Sequence, residues 1–184
     1  QMLATAVRWG WIPRNPADGR MALPKAAIRR VVPLSPDEAQ RLVTAADPYY
    51  RPLFITAMQT GLRAGELFGL TWDDIDLENA TLTVNQALYE GKLTPPKSDA
   101  AHRTVPLPPQ VLEALRDHSP PDTKMRLVFP TQWGKHMATK TWSDIMIQVA
   151  KDAELPAVRL HDLRHCYASL LIRSGCSPKL VQSL

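Results

Sequence analysis

The stretch RLHDLRHCYASLL, residues 159–171, sets two histidines, two arginines and an aspartate into an otherwise apolar, amphipathic run. Two chemistries fit that spacing. His161 and His165 stand four apart, as two metal ligands on one helical face would. His161 and Arg164 stand three apart, as two groups gripping one anion would.

The metal reading borrows the His-Glu-x-x-His pattern of zinc peptidases, with Asp162 in the acid's neighbourhood. It is incomplete: the acid is Asp, no convincing third ligand follows, and Arg164 would hold a permanent positive charge beside a dication. The anion reading needs further cations, because a phosphate or carboxylate drawn out of water demands several charge-assisted hydrogen bonds. TGLRAGELFGL offers Arg63 just past Gly61, at a helix start, with Glu66 three residues on to hold the guanidinium. The same two residues also read as an ordinary surface ion pair. KLTPPKSDAAHRTVPLP offers Lys97 before a turn: a solvated charge in the simplest case, a proton donor if a cleft of cations lowers its pKa.

The bulk properties admit both readings. Lys and Arg exceed Asp and Glu by enough to give a net charge of +4, which suits a phosphate-rich partner without requiring one. Hydrophobic content of 45% with 22% charged residues is ordinary for a globular chain and argues against disorder. Cys166 and Cys176, ten apart, form no Cys-x-x-Cys pair and read as small core residues in a reducing compartment. Without a long apolar run or a signal-like start, the expected location is cytoplasmic, away from membranes.

The elements that must position these residues follow from local signals. QMLATAVRWGWIPRNPADG reads as the end of a helix stopped by Gly10 and Pro13. GRMALPKAAIRRVVP has no clear period and four basic residues, which suits either a linker crossing something acidic or a solvated connector. Ser35, Pro36 and Glu38 form a helix start with a capping box. RPLFITAMQTG continues as a helix ending at Gly61, and RAGELFGLTWDDID as a short helix leading into a turn. ATLTVNQAL, KLTPPKS and RTVPLP read as a small antiparallel sheet of about three strands, with the proline pair at 95 and 96 marking an edge. Helical patterns follow in LPPQVLEALRDH, at 138–153 and 160–174, and from 177 onward, around a short RLVFP. The fold class expected is α+β, mainly α-helical.

In order along the chain, TGLRAGELFGLTWDDID, PPKSDAAHRTVPL and RLHDLRHCYASLLIRSG resemble the first arginine box, the lysine-bearing β-hairpin and the His-x-x-Arg box of the tyrosine recombinases, the phage integrase family. The resemblance spans residues 34–184, and AVRWGWIPRNPA is similar to the closing helix of the family's core-binding domain. It implies three parts: a stub of that helical domain at 1–18, a linker at 19–33, and a catalytic domain at 34–184. It also implies roles. Arg63 and Arg164 clamp a scissile DNA phosphate. Lys97 protonates the leaving 5′-oxygen, and His161 positions the phosphate or handles the nucleophile's proton. Glu66 and His165 support them, Glu66 by orienting Arg63 and His165 as a core histidine packing the helix. The implied partner is double-stranded DNA at a specific site, bound by a homotetramer, with no metal and no cofactor.

Two further family elements, a Gly-His-like box and the nucleophilic tyrosine, are expected beyond SPKLVQSL, so the chain reads as cut at both ends. Tyr49, Tyr50, Tyr89 and Tyr167 lie outside the nucleophile's position. The expectation is a chain that does not cleave DNA in cis. The alternatives are a DNA-binding relative or remnant without catalysis and, more remotely, a zinc peptidase using His161 and His165.

Overall fold

A computed structural model describes residues 2–17, 33–95, 102–118, 120 and 123–177. The chain divides into two compact units, 1–30 and 31–184. The first carries helix α1 (Met2–Arg8), which buries none of its residues. Past it, Trp9 and Trp11 meet edge to face with ring centroids 5.0 Å apart.

The second unit opens on α2 (Pro36–Ala45). Ser35 Oγ accepts from the Glu38 N–H at 3.2 Å, and Glu38 Oε2 accepts from the Ser35 N–H at 2.7 Å, so the capping box closes in both directions. The next helix, α3 (Arg51–Thr60), is the apolar spine, with Leu53, Phe54 and Ala57 buried. Its interior Thr56 and Thr60 donate their hydroxyls back to the carbonyls of Pro52 and Thr56, so neither hydroxyl is buried unmet. It ends at Gly61 in the left-handed region (φ +62).

A short α4 (Ala64–Phe68) and a 3₁₀ turn (Trp72–Asp74) then lead into the strands. These are β1 (Ile75–Asp76), β2 (Thr81–Val84), β3 (Ala87–Tyr89), β4 (Lys92–Thr94) and β5 (Arg103–Pro106). They form two antiparallel sheets: β1-β2-β5, and the separate hairpin β3-β4. The sheet is three-stranded as expected, but its membership differs. KLT pairs with Ala87–Tyr89, and Ile75–Asp76 takes the third place beside β2.

The reason lies at Asn85-Gln86, where the sequence reads one continuous strand. Buried Asp74 accepts from the Thr71 N–H (2.9 Å) and hydroxyl (2.6 Å), from Asn85 Nδ2 (3.0 Å) and from Gln86 Nε2 (3.2 Å). A carboxylate taken out of water needs such donors, and recruiting two from adjacent residues divides the run into β2 and β3. The second half then folds onto α4. A Cβ on Gly69 would stand 2.6 Å from the Leu88 backbone nitrogen, so α4 and β3 approach as closely as only glycine permits.

Helices α5 (Pro109–Arg116), α6 (Thr139–Asp152) and α7 (Leu160–Arg173) close the unit. The core is continuous through Leu42, Phe54, Leu67, Leu82, Val111, Met146 and Leu163. Trp142 of α6 sits between the rings of Phe54 (5.0 Å) and Phe68 (5.7 Å). Both α5 and α7 pack on α3, so the helix carrying His161 and Arg164 is seated on the one that ends at Gly61. Among the described residues no helix is long and apolar enough to cross a membrane. Residues 19–32 of the expected linker at 19–33, the turn bearing Lys97, and residues 178–184 of the helix expected from 177 onward lie outside the described residues.

Candidate active site

Arg63 is the N-cap of α4, and Glu66 is that helix's third residue. The third position is where a carboxylate reaches back to the cap: Glu66 Oε2 accepts from the Arg63 N–H, and Oε1 accepts from Arg63 Nη1, both at 2.9 Å. This is not a surface ion pair, because Glu66 is only 8% exposed. A second guanidinium meets the same carboxylate. Arg103 Nη2 donates to Oε2 at 2.8 Å and Nη1 to Oε1 at 3.2 Å.

Burial pushes the Glu66 pKa up, but the hydrogen bonds from Arg103, from the Arg63 N–H and from the Arg63 guanidinium outweigh it and hold the carboxyl at about 2. It is ionised at any physiological pH.

Helix α7 starts by the same device. The Arg159 N–H donates to Asp162 Oδ2 at 2.9 Å, so buried Asp162 caps the helix start. One turn on, Arg164 Nη1 donates to the Gly61 carbonyl, an oxygen left open by the end of α3. The junction of α3 and α4 and the start of α7 line a pocket of about 370 Å³ with Leu62, Arg63, Ala64, Leu160, His161 and Arg164.

Three of the expected residues, Arg63, His161 and Arg164, therefore share one cleft, with Glu66 bonded to Arg63. Lys97 lies outside the described residues. His165 is half-buried, not in the core; its ring stands edge-on to His161 with centroids 4.5 Å apart, because residues four apart stack on one helical face. Among the described residues no group of three or more His, Cys, Asp or Glu side chains is arranged to hold a metal ion.

The cleft is electropositive by construction. Burial lowers the Arg164 pKa, the charges of Arg63 and Arg103 lower it further, and Glu66 opposes them. A guanidinium does not give up its proton in that range, so the cost remains as unrelieved repulsion that a bound anion would lift.

The remaining candidates sit elsewhere. Cys166 is buried and its Sγ accepts the Leu34 N–H at 3.2 Å; burial pushes its thiol pKa up, away from the reactive thiolate. Cys176 is only half-buried, at the end of α7, where the expected core position is not reached. Tyr49 donates its hydroxyl to the carbonyls of Pro130 (3.1 Å) and Thr131 (3.2 Å). Tyr50 is buried, and Tyr89 is exposed on the β3-β4 hairpin. Sequence reasoning missed Arg103. The signal available was strand alternation, since Arg103 falls two residues before Val105, whose side chain is buried in the core.

Residues 33–184 match the model of the phage integrase family. The chain is 30% identical over 193 residues to an integrase assigned to prophage phiRv2 of Mycobacterium tuberculosis, covering 100% of this chain and 52% of the relative. The chain thus spans about half the length of the curated relatives it matches first. Among solved structures, a Tn1549 transposon integrase in complex with circular-intermediate DNA superposes with a TM-score of 0.81 at 23% identity, over 98% of this chain and 66% of the other. That likeness concerns the fold. The crystal structure of XerA recombinase aligns with a TM-score of 0.69 at 28% identity, over 88% and 56% respectively.

Proposed function

The chain belongs to the phage integrase family, and on that premise we propose that it carries most of the catalytic centre of a tyrosine site-specific recombinase that integrates or excises a mobile element. The observation that carries this reading is the shared cleft, in which Arg63 and Arg164 come from segments 101 positions apart in sequence and line one pocket together with His161.

In the reaction proposed, a tyrosine oxygen attacks the scissile phosphorus, the 5′-oxygen leaves, and a 3′-phosphotyrosyl bond preserves the energy for rejoining. Arg63 and Arg164 neutralise the charge that grows on the five-coordinate phosphorus. His161 takes the tyrosine's proton or holds the phosphate, and Lys97 supplies a proton to the leaving oxygen. Glu66 orients Arg63, and His165 backs His161. Residues 1–18, 19–33 and 34–184 are read as core-binding stub, linker and catalytic domain. The partner is double-stranded DNA at a recombination site, held by four copies of the protein. The nucleophile is assigned to none of Tyr49, Tyr50, Tyr89 and Tyr167, which lie outside the family's position for it; Tyr49 moreover donates its hydroxyl to carbonyls and Tyr167 lies against Gly61.

The test is to incubate the complete gene product with supercoiled DNA carrying its recombination site and separate the products on a denaturing gel. A covalent protein–DNA adduct at a tyrosine other than these four is expected. Adduct formation at Tyr167 would overturn the assignment. Site-specific binding without any adduct would favour the second reading, a DNA-binding relative that does not cleave.

A further inference from the structure

Glu66 holds two guanidiniums, and they differ in what they face. Arg63 is 57% exposed and lines the cleft, whereas Arg103 is 13% exposed and is absent from the cleft lining. We infer that Arg103 is a positioning residue for strand cleavage, acting through Glu66 on the Arg63 guanidinium. The inference rests on the recombinase reading above.

Geometry supports it first. The Arg103 fork meets both carboxylate oxygens, and each of those oxygens also accepts from Arg63, one from its N–H and one from Nη1. A two-point grip fixes the plane of the carboxylate, and that plane determines where the long, exposed Arg63 side chain is aimed. Arg103 is itself anchored at the start of β5, where the sheet register sets it opposite Val84.

Charge supports it second. A lone Glu66 would neutralise Arg63 and weaken its pull on a phosphate. With Arg103 offsetting that carboxylate, the cluster of Arg63, Arg103, Arg164 and Glu66 keeps two net positive charges, and Arg164 registers all three neighbours. Glu66 can thus orient Arg63 without cancelling it.

The experiment uses the complete gene product, wild type and R103M, R103K, E66Q and R103M/E66Q, on a supercoiled plasmid bearing the cloned recombination site. Single-turnover adduct formation at saturating protein, DNA affinity and melting temperature are measured for each. R103M should slow adduct formation roughly 10- to 100-fold, as a displacement of about 1 Å at a reacting centre does, with affinity changed by less than about threefold. R103K, which keeps the charge and loses the fork, should recover only part of the rate. The double variant should be no slower than the slower single one, because both act along one path. Wild-type rates in R103M, or losses that multiply in the double variant, would overturn the inference. If R103M does not fold, R103K decides: a slowed rate at unchanged melting temperature supports the positioning role, and a wild-type rate refutes it. A wild-type protein that forms no adduct removes the recombinase reading itself, and this premise with it.

Discussion

A Cβ on Gly61 would stand 2.3 Å from Cδ1 of Tyr167, so the tyrosine ring of α7 lies directly on the turn that ends α3. The Gly61 carbonyl accepts from Arg164 on the same helix. One residue therefore seats α7 twice, by a ring and by a guanidinium that lines the cleft.

Gly61→Ala should destabilise the unit by about 2–5 kcal/mol, combining left-handed strain of roughly 1–2 kcal/mol with overpacking of roughly 1–3 kcal/mol. Thermal melting would show it. Tyr167→Phe keeps the ring and should leave both melting and adduct formation intact, since burial already pushes the Tyr167 hydroxyl pKa up and away from a nucleophile's range.

Arg63→Lys tests the clamp. A lysine retains the charge but supplies no planar fork, so cleavage by the complete gene product should fall by about 10²–10³ while DNA affinity stays close to wild type. Gel-shift and adduct assays run side by side separate the two quantities. Equal cleavage rates for the two proteins would reduce Arg63 to a structural partner of Glu66.

Glu66 makes stability depend on pH in a defined direction. Its carboxyl titrates at about 2 in the folded protein, against an ordinary value of 4.5. The lowered pKa stabilises the fold fully above pH of about 4.5, by on the order of 3 kcal/mol, and that contribution disappears as pH falls towards 2. Denaturant melts of wild type and Glu66→Gln should differ most near pH 6 and converge near pH 2. A gap that does not close with acid would mean that Glu66 acts through packing alone.

A second acid sensitivity lies at His118, which is not part of the cleft lining. Burial lowers its pKa, and the neutral ring donates from Nε2 to the Val128 carbonyl at 2.8 Å, beside Tyr49 and Phe129. A histidine with a lowered folded pKa stabilises fully above about 6.5, and the contribution fades as pH drops below that value through the folded one. His118→Gln should flatten the stability profile between pH 7 and 5, measured by urea unfolding.

Much of this arrangement was legible in the sequence, for local reasons. Ser35 with Glu38, Gly61 after an apolar run, and His161 with Arg164 are signals carried by residues three or four apart, which the helix alone makes neighbours. What lay hidden was non-local. Nothing in the spacing of Arg63 and Arg164 brings them to one cleft; that takes the packing of α7 on α3. Arg103 was hidden by a strand's identity, since a basic residue opening a short β run ordinarily faces water, and here the buried carboxylate of Glu66 draws it inward. The split between β2 and β3 was hidden in the same way, by another buried acid, Asp74, competing for side-chain donors.

The register of β5 against β2 has a mechanical consequence. Arg103 is fixed by its pairing opposite Val84 and not by the chain that precedes it. The guanidinium that grips Glu66 is thus carried by the three-stranded sheet, whereas the one that Glu66 steadies caps α4, so sheet and helix are coupled through a single carboxylate. A slip of β5 by one residue would turn Arg103 to the opposite face of the sheet and release Glu66 from its second guanidinium.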